Sequence, residues 1–371
     1  MRARIPVQNQ DTLAALRGFL RRLLETETVE AVLVPMETPS GAVTPALVAD
    51  PALLDAADPL APVLGLNAAR VVGPVTVREP RGRVAAVLRP CEYRALIELV
   101  KLQQAALEDL VTVVVDCPGT YTVPDYQKMC ANGGVDRSAL LSGMRTGDLA
   151  PQSGYAFRDA CQMCENFAAV AGDARIELFG ADLSAGIPVV LSDDLAGRLG
   201  LEAAPEDGRR AEVVDKVTRS RVQARDAVFA EIRDRLEKEG VEGVFAACVR
   251  CHNCMTTCPI CYCKTCLFKS PVMEHEPIQY MAWARRKGAY RLPADTMLFH
   301  LTRLNHMVLS CIGCGLCTDA CPADLPVGRV FRAVGQQLQA VFDYVPGHRV
   351  EEPLPLITFR EDEWSQVGEE R

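Results

Sequence analysis

Cys248-Val249-Arg250-Cys251-His252-Asn253-Cys254-Met255-Thr256-Thr257-Cys258-Pro259 is followed by Cys311-Ile312-Gly313-Cys314-Gly315-Leu316-Cys317-Thr318-Asp319-Ala320-Cys321-Pro322. Both runs have the spacing Cys-x2-Cys-x2-Cys-x3-Cys-Pro. In two-cluster bacterial ferredoxins the first three cysteines of such a run hold one cubane, and the fourth reaches across to the other. That rule assigns Cys248, Cys251, Cys254 and Cys321 to a first [4Fe–4S] cluster, and Cys311, Cys314, Cys317 and Cys258 to a second. The two-residue gaps suit a tight loop whose amides can hydrogen-bond sulfur, and the proline ends that loop where a helix starts.

Structural zinc is a competing reading, since Cys-x2-Cys pairs also build tetrahedral four-cysteine sites. Zinc needs two pairs and leaves two complete quartets ending in Cys-Pro unexplained. Cys254-x3-Cys258-x2-Cys261 has the spacing of a radical S-adenosylmethionine enzyme, but the repeated run already employs Cys254 and Cys258. Cys261, Cys263 and Cys266 exceed the needs of two clusters and could hold part of a further one, a fourth ligand coming from elsewhere. The first half of the chain adds Cys91, Cys117, Cys130, Cys161 and Cys164, enough ligands for another cluster.

The surrounding composition agrees with a redox protein inside the cell. Sixteen cysteines without an export signal read as metal ligands rather than disulfides, because the cytosol keeps thiols reduced. The formal net charge of -8 argues against nucleic acid as a partner, since that affinity comes from Lys and Arg neutralising phosphates. No uncharged apolar stretch reaches about 18 residues, the least that would span a bilayer. A cytoplasmic protein with no transmembrane segment is expected.

The first two hundred residues read as α/β. Buried strands are expected at Val29–Val34, Val84–Leu88 and Leu110–Val115, and helices at Thr12–Glu27 and Glu92–Glu108. Val84–Leu88, Glu92–Glu108 and Leu110–Val115 make a strand–helix–strand crossover, with Cys91 on the turn where open α/β sheets usually meet ligands. A charged helix over Ser220–Glu239, stopped by Gly240, leads to the cysteine-rich segment. That segment carries a helical insert near Ala294–Leu309, then a helix near Val327–Phe342. The expected organisation is an α/β domain over 1–215, a linking helix over 216–245 and an α+β, bacterial-ferredoxin-like dicluster domain with its insert over 246–342. A tail over 343–371 follows, with Glu361, Asp362 and Glu363 in an exposed stretch.

Three further stretches resemble the beta-subunit family of coenzyme F420-reducing hydrogenases and F420-linked formate dehydrogenases. They are Arg89-Pro90-Cys91-Glu92, Val115-Asp116-Cys117, and Cys161-Gln162-Met163-Cys164-Glu165-Asn166-Phe167 leading to Gly172-Asp173. The resemblance spans about Val29 to Leu201. It departs from the family at Asn166, where Asp is usual, and at Ala174, where Ile is usual. The resemblance implies a flavoprotein with FAD near Cys91, Glu92, Arg94 and Asp173, and a third cluster on Cys117, Cys161, Cys164 and either Cys91 or Cys130. It implies hydride exchange between FAD and F420 or a similar soluble carrier. No Gly-x-Gly-x-x-Gly fingerprint follows an early strand, so FAD rests on the resemblance alone.

The expected function is an oxidoreductase subunit that divides a two-electron hydride into single electrons for clusters. Its partners would be the catalytic and electron-transfer subunits of a multisubunit complex, such as a formate dehydrogenase, hydrogenase or heterodisulfide-reductase-like assembly. The alternative is a flavin-free polyferredoxin adaptor with no reaction of its own.

Overall fold

Apolar, β-branched runs without alternation form the inner strands of one sheet, because a strand covered on both faces has no solvent side. The computed structural model describes residues 1–77, 82–205, 208–355 and 357. Its strands are β1 (Arg2–Ile5), β2 (Ala31–Glu37), β3 (Val43–Val48), β4 (Val84–Leu88), β5 (Leu110–Val115), β6 (Ala174–Ile176) and β7 (Ile187–Leu191). They lie in the order β1-β7-β6-β5-β4-β2-β3. The inner strands β2, β4, β5 and β6 are parallel, while β3 joins β2, β7 joins β6 and β1 joins β7 antiparallel.

β4 and β5 have the limits read from the sequence, and the helix Pro90–Lys101 crosses between them, ending short of Glu108. The first helix runs Thr12–Glu25. The carboxylate of Asp11 caps it by accepting from Ala14 N at 2.9 Å, and Leu16, Phe19, Leu20 and Leu23 are buried beneath it. The sequence reading missed β1, β3, β6 and β7, which are short or lie toward the sheet's edges. β1 pairs with β7, far away in the chain, and no local pattern marks such a partner.

The charged helix is longer than expected, Arg209–Val244, with Gly240 at φ 66° kinking rather than ending it. Its Val213 and Val217 pack on the sheet's core, whereas Phe229 and Ile232 belong to the core of the cysteine-rich part. One helix thus anchors both halves.

The expected α+β character of the dicluster part is not found: among the described residues no strand follows Leu191. The segments flanking the cysteine runs have helical rather than alternating periodicity. They form Arg209–Val244 and Val327–Val341, while the insert supplies Pro277–Lys287 and Thr296–Met307. Phe229, Phe299, Val330 and Phe331 from these helices share one core around the cysteine loops. No helix is long and apolar enough to cross a membrane among the described residues. Glu361, Asp362 and Glu363 lie outside the described residues.

Candidate iron–sulfur centres

The carboxyl ends of the adjacent parallel strands β4 and β5 place the first two cysteines. Arg89 follows β4 as the helix cap, Pro90 takes the first helical position, and Cys91 comes next; Asp116 and Cys117 follow β5. Cys161 lies in the short helix Asp159–Gln162 and Cys164 just beyond it. The four thiols Cys91, Cys117, Cys161 and Cys164 line one small cavity. Cys130 is exposed on the helix Val123–Ala131 and is not part of that wall. Of the two fourth ligands considered, the fold therefore brings Cys91 to the group.

Buried arginines surround the thiols. Arg89 donates to the carbonyls of Ala61 at 2.7 Å and Val63 at 2.8 Å. Arg158 reaches the carbonyl of Cys314 at 2.8 Å, and Arg221 reaches that of Pro118 at 2.6 Å while lying over the Phe167 ring. Thr120 offers its amide to Cys161 Sγ at 3.3 Å, with its hydroxyl 3.2 Å from the same sulfur.

Burial, reinforced by the neighbouring Cys161, pushes Cys117 up to about 12; burial and then Glu92 and Cys117 raise Cys91. Burial also raises Cys164, against the pull of Arg221 and Arg332. Thiols so crowded do not ionise together without added positive charge, and iron supplies that charge while displacing the protons. The donor set therefore suits a thiolate-bound cluster.

The residues expected near FAD are less free. The Glu92 carboxylate accepts from the amides of Ala68 and Arg89, each at 2.9 Å, and is buried. Asp173 accepts from Thr112 N and Oγ1, each at 2.8 Å. Arg94 donates to the carbonyls of Pro346 at 2.8 Å and Ile312 at 3.2 Å, at the edge of a hollow of about 610 Å³.

In the C-terminal part the thiols fall into two groups. Burial raises Cys254, and Cys248, Cys321 and Cys251 add to the rise. Burial likewise raises Cys317, and here the contributing thiols are Cys314, Cys258 and Cys311. Cys258 is pushed up to about 12 by burial, then by Cys314. The fourth cysteine of each run thus keeps company with the first three of the other. Backbone amides point at sulfur two residues earlier, from Arg250 to Cys248 at 3.3 Å and from Gly313 to Cys311.

Cys314 also lines the N-terminal cavity, so the two regions meet there. Gly315 makes the approach possible: at φ 75°, a Cβ on it would stand 2.3 Å from Ala160 Cβ. Cys261 has Cys263 and Cys266 as neighbours, and Cys263 is exposed. Among the described residues no three His, Cys, Asp or Glu side chains could hold a single metal ion in common.

Sequence reasoning gave the five histidines, His300 among them, only as possible tuning or relay groups, and passed over Arg303. His300 Nε2 lies 3.2 Å from Cys248 Sγ, and Arg303 donates to Cys254 Sγ at 3.1 Å. His252, inside the first run, packs against Phe299. The one local signal was a histidine and an arginine one turn apart in the helix Thr296–Met307, both buried beside Phe299.

The chain is similar to several known proteins. A family model described as a 4Fe-4S dicluster domain matches residues 244–325. The F420-dependent formate dehydrogenase subunit beta of Methanocaldococcus jannaschii is 24% identical over 306 residues, covering 74% of this chain and 76% of that protein. The F420-dependent formate dehydrogenase 1 subunit beta of Methanococcus maripaludis is 24% identical over 315 residues, covering 74% and 75%. Among solved structures, a chain from the F420-reducing [NiFe] hydrogenase complex of Methanosarcina barkeri aligns over 62% of this chain and 90% of its own. That alignment has 11% identity and a TM-score of 0.41. The chain is a homologue of the beta subunits of F420-dependent formate dehydrogenases, with a 4Fe–4S dicluster domain in its C-terminal part.

Proposed function

We propose that the chain is an iron–sulfur flavoprotein subunit that moves electrons between FAD and the clusters of a larger complex, with F420 or a similar carrier exchanging hydride at the flavin. The observation that carries this reading is the position of Cys314, which sits in the C-terminal quartet and in the wall of the four-cysteine cavity. An unbroken relay follows: a cluster on Cys91, Cys117, Cys161 and Cys164, then one on Cys311, Cys314, Cys317 and Cys258, then one on Cys248, Cys251, Cys254 and Cys321. The partner is the catalytic subunit of a formate dehydrogenase, hydrogenase or heterodisulfide-reductase-like complex.

A place for FAD adjoins the first cluster site. A narrow cleft shares Arg89, Cys117 and Gly119 with the four-cysteine cavity, and Leu60, Leu140, Met144 and Leu178 give it apolar walls. At Leu60, Arg137 and Leu141 it joins a wider hollow that also reaches Arg145. An apolar slot with a few polar groups at its mouth is the usual form of a cofactor site. The apolar side chains would hold the flavin ring and the two arginines its phosphates. When bound, FAD supplies the step from hydride to single electrons.

Anaerobically purified protein should contain FAD and about twelve irons with matching acid-labile sulfide, four for each of three cubanes. About eight irons without flavin would leave the polyferredoxin adaptor, and stoichiometric zinc without sulfide would overturn both readings. Gly315→Val should push the two regions apart. Overpacking of this kind costs about 1–3 kcal/mol, and reduction of the C-terminal clusters by reduced flavin should slow in stopped-flow absorbance. A wild-type rate would show that the contact at Gly315 does not set the transfer.

A further inference from the structure

We propose that Arg303 is a shared electrostatic element of the two C-terminal clusters, a permanent buried cation that raises the reduction potential of both. The inference rests on the cluster assignment above and adds a role for a residue outside the ligand set.

Arg303 is 4% exposed, and no carboxylate pairs with it among the described residues. Its Nη1 donates to Cys254 Sγ at 3.1 Å and its Nη2 to the Cys254 carbonyl at 3.0 Å. The guanidinium lies between two aromatic rings, 5.5 Å from the centre of Phe299 and 5.1 Å from that of Phe331. Its Nε is buried with no hydrogen-bond partner. Aromatic faces hold a cation in place but do not neutralise it, and a buried charge without a counter-charge is strongly destabilising. Arginine cannot escape by losing its proton.

The missing negative charge is available on both sides. Arg303 touches Cys254 of the first quartet, and Phe331, whose ring it lies over, packs in one core with Cys258 and Cys317 of the second. A cluster with thiolate ligands is the anion this pocket lacks, and the orphaned Nε–H remains free to donate to it. A fixed positive charge and hydrogen bonds to sulfur favour the more negative, reduced state of a cluster, so both raise its potential. The cluster of Cys254 receives charge and hydrogen bonds, whereas the cluster of Cys311 receives chiefly charge.

The test is an electron-paramagnetic-resonance redox titration of the full chain, purified anaerobically with its iron and sulfide counted. Arg303→Gln should lower both midpoint potentials, with the larger shift at the cluster of Cys254. Arg303→Lys keeps the charge but lacks the planar fork. It should hold the Cys311 cluster near its wild-type potential and leave the Cys254 cluster between the wild-type and Gln values. Two unchanged potentials in an iron-replete Arg303→Gln protein would overturn the proposal. If Arg303→Gln does not retain iron, Arg303→Lys decides: the same split supports the proposal, while unchanged potentials or a second loss of iron overturns it. Wild-type protein lacking these clusters would instead refute the cluster assignment itself.

Discussion

Cys161→Ser is expected to leave the two C-terminal clusters assembled while stopping the delivery of electrons to them. Cys161 lines only the N-terminal cavity, and Thr120 holds its sulfur through an amide and a hydroxyl. The C-terminal quartets lie on other loops, packed between the helices Arg209–Val244 and Val327–Val341, and need nothing from Cys161 to form. Loss of one ligand from the N-terminal set should remove about four irons and their sulfide. Reduced flavin would then have no adjacent one-electron acceptor. Stopped-flow absorbance with reduced F420 as donor, and a nicotinamide for comparison, would follow cluster bleaching. Unchanged bleaching would show that Cys161 is dispensable and would favour the adaptor reading.

Asp116→Ala should unfold the N-terminal domain far more readily than any cysteine substitution. The Asp116 carboxylate, 3% exposed, accepts from the amides of Ala169 at 2.7 Å, Leu178 at 2.7 Å and Phe179 at 3.0 Å, and from Arg210 Nη2 at 2.9 Å. It therefore fastens the end of β5, the loop after Cys164, the segment after β6 and the start of the long helix at one point. Removing it leaves three buried amides without this acceptor and Arg210 with only Glu177 as an anion. Breaking a buried pair of this kind costs about 3–5 kcal/mol. A urea titration followed by circular dichroism should show the midpoint fall accordingly, with loss of the N-terminal cluster as a consequence. A change below about 1 kcal/mol, the net worth of one ordinary hydrogen bond, would remove Asp116 from its place as a hub. The two substitutions separate chemistry from architecture, since Cys161→Ser should change iron and transfer with little effect on that midpoint.

The 4Fe–4S dicluster domain was legible in the sequence because its mark is local spacing. A tight loop that presents three thiols to one cubane needs them two residues apart, and Cys248–Cys258 and Cys311–Cys321 each carry that spacing within one short segment. β4 and β5 were legible for a related reason, since a fully buried parallel strand is a continuous apolar run. The α+β expectation failed because it was carried over with the cysteine spacing, whereas the flanking segments obey their own helical period. Only the tertiary structure chose Cys91 over Cys130, since both stand in the α/β domain but only one follows a strand whose end faces Cys117. It alone brought Cys314 to the N-terminal cavity across Gly315, and set Arg303 against Cys254. These are contacts between residues far apart in the chain. They depend on how helices and loops pack around a shared core, and no short stretch of sequence records that packing.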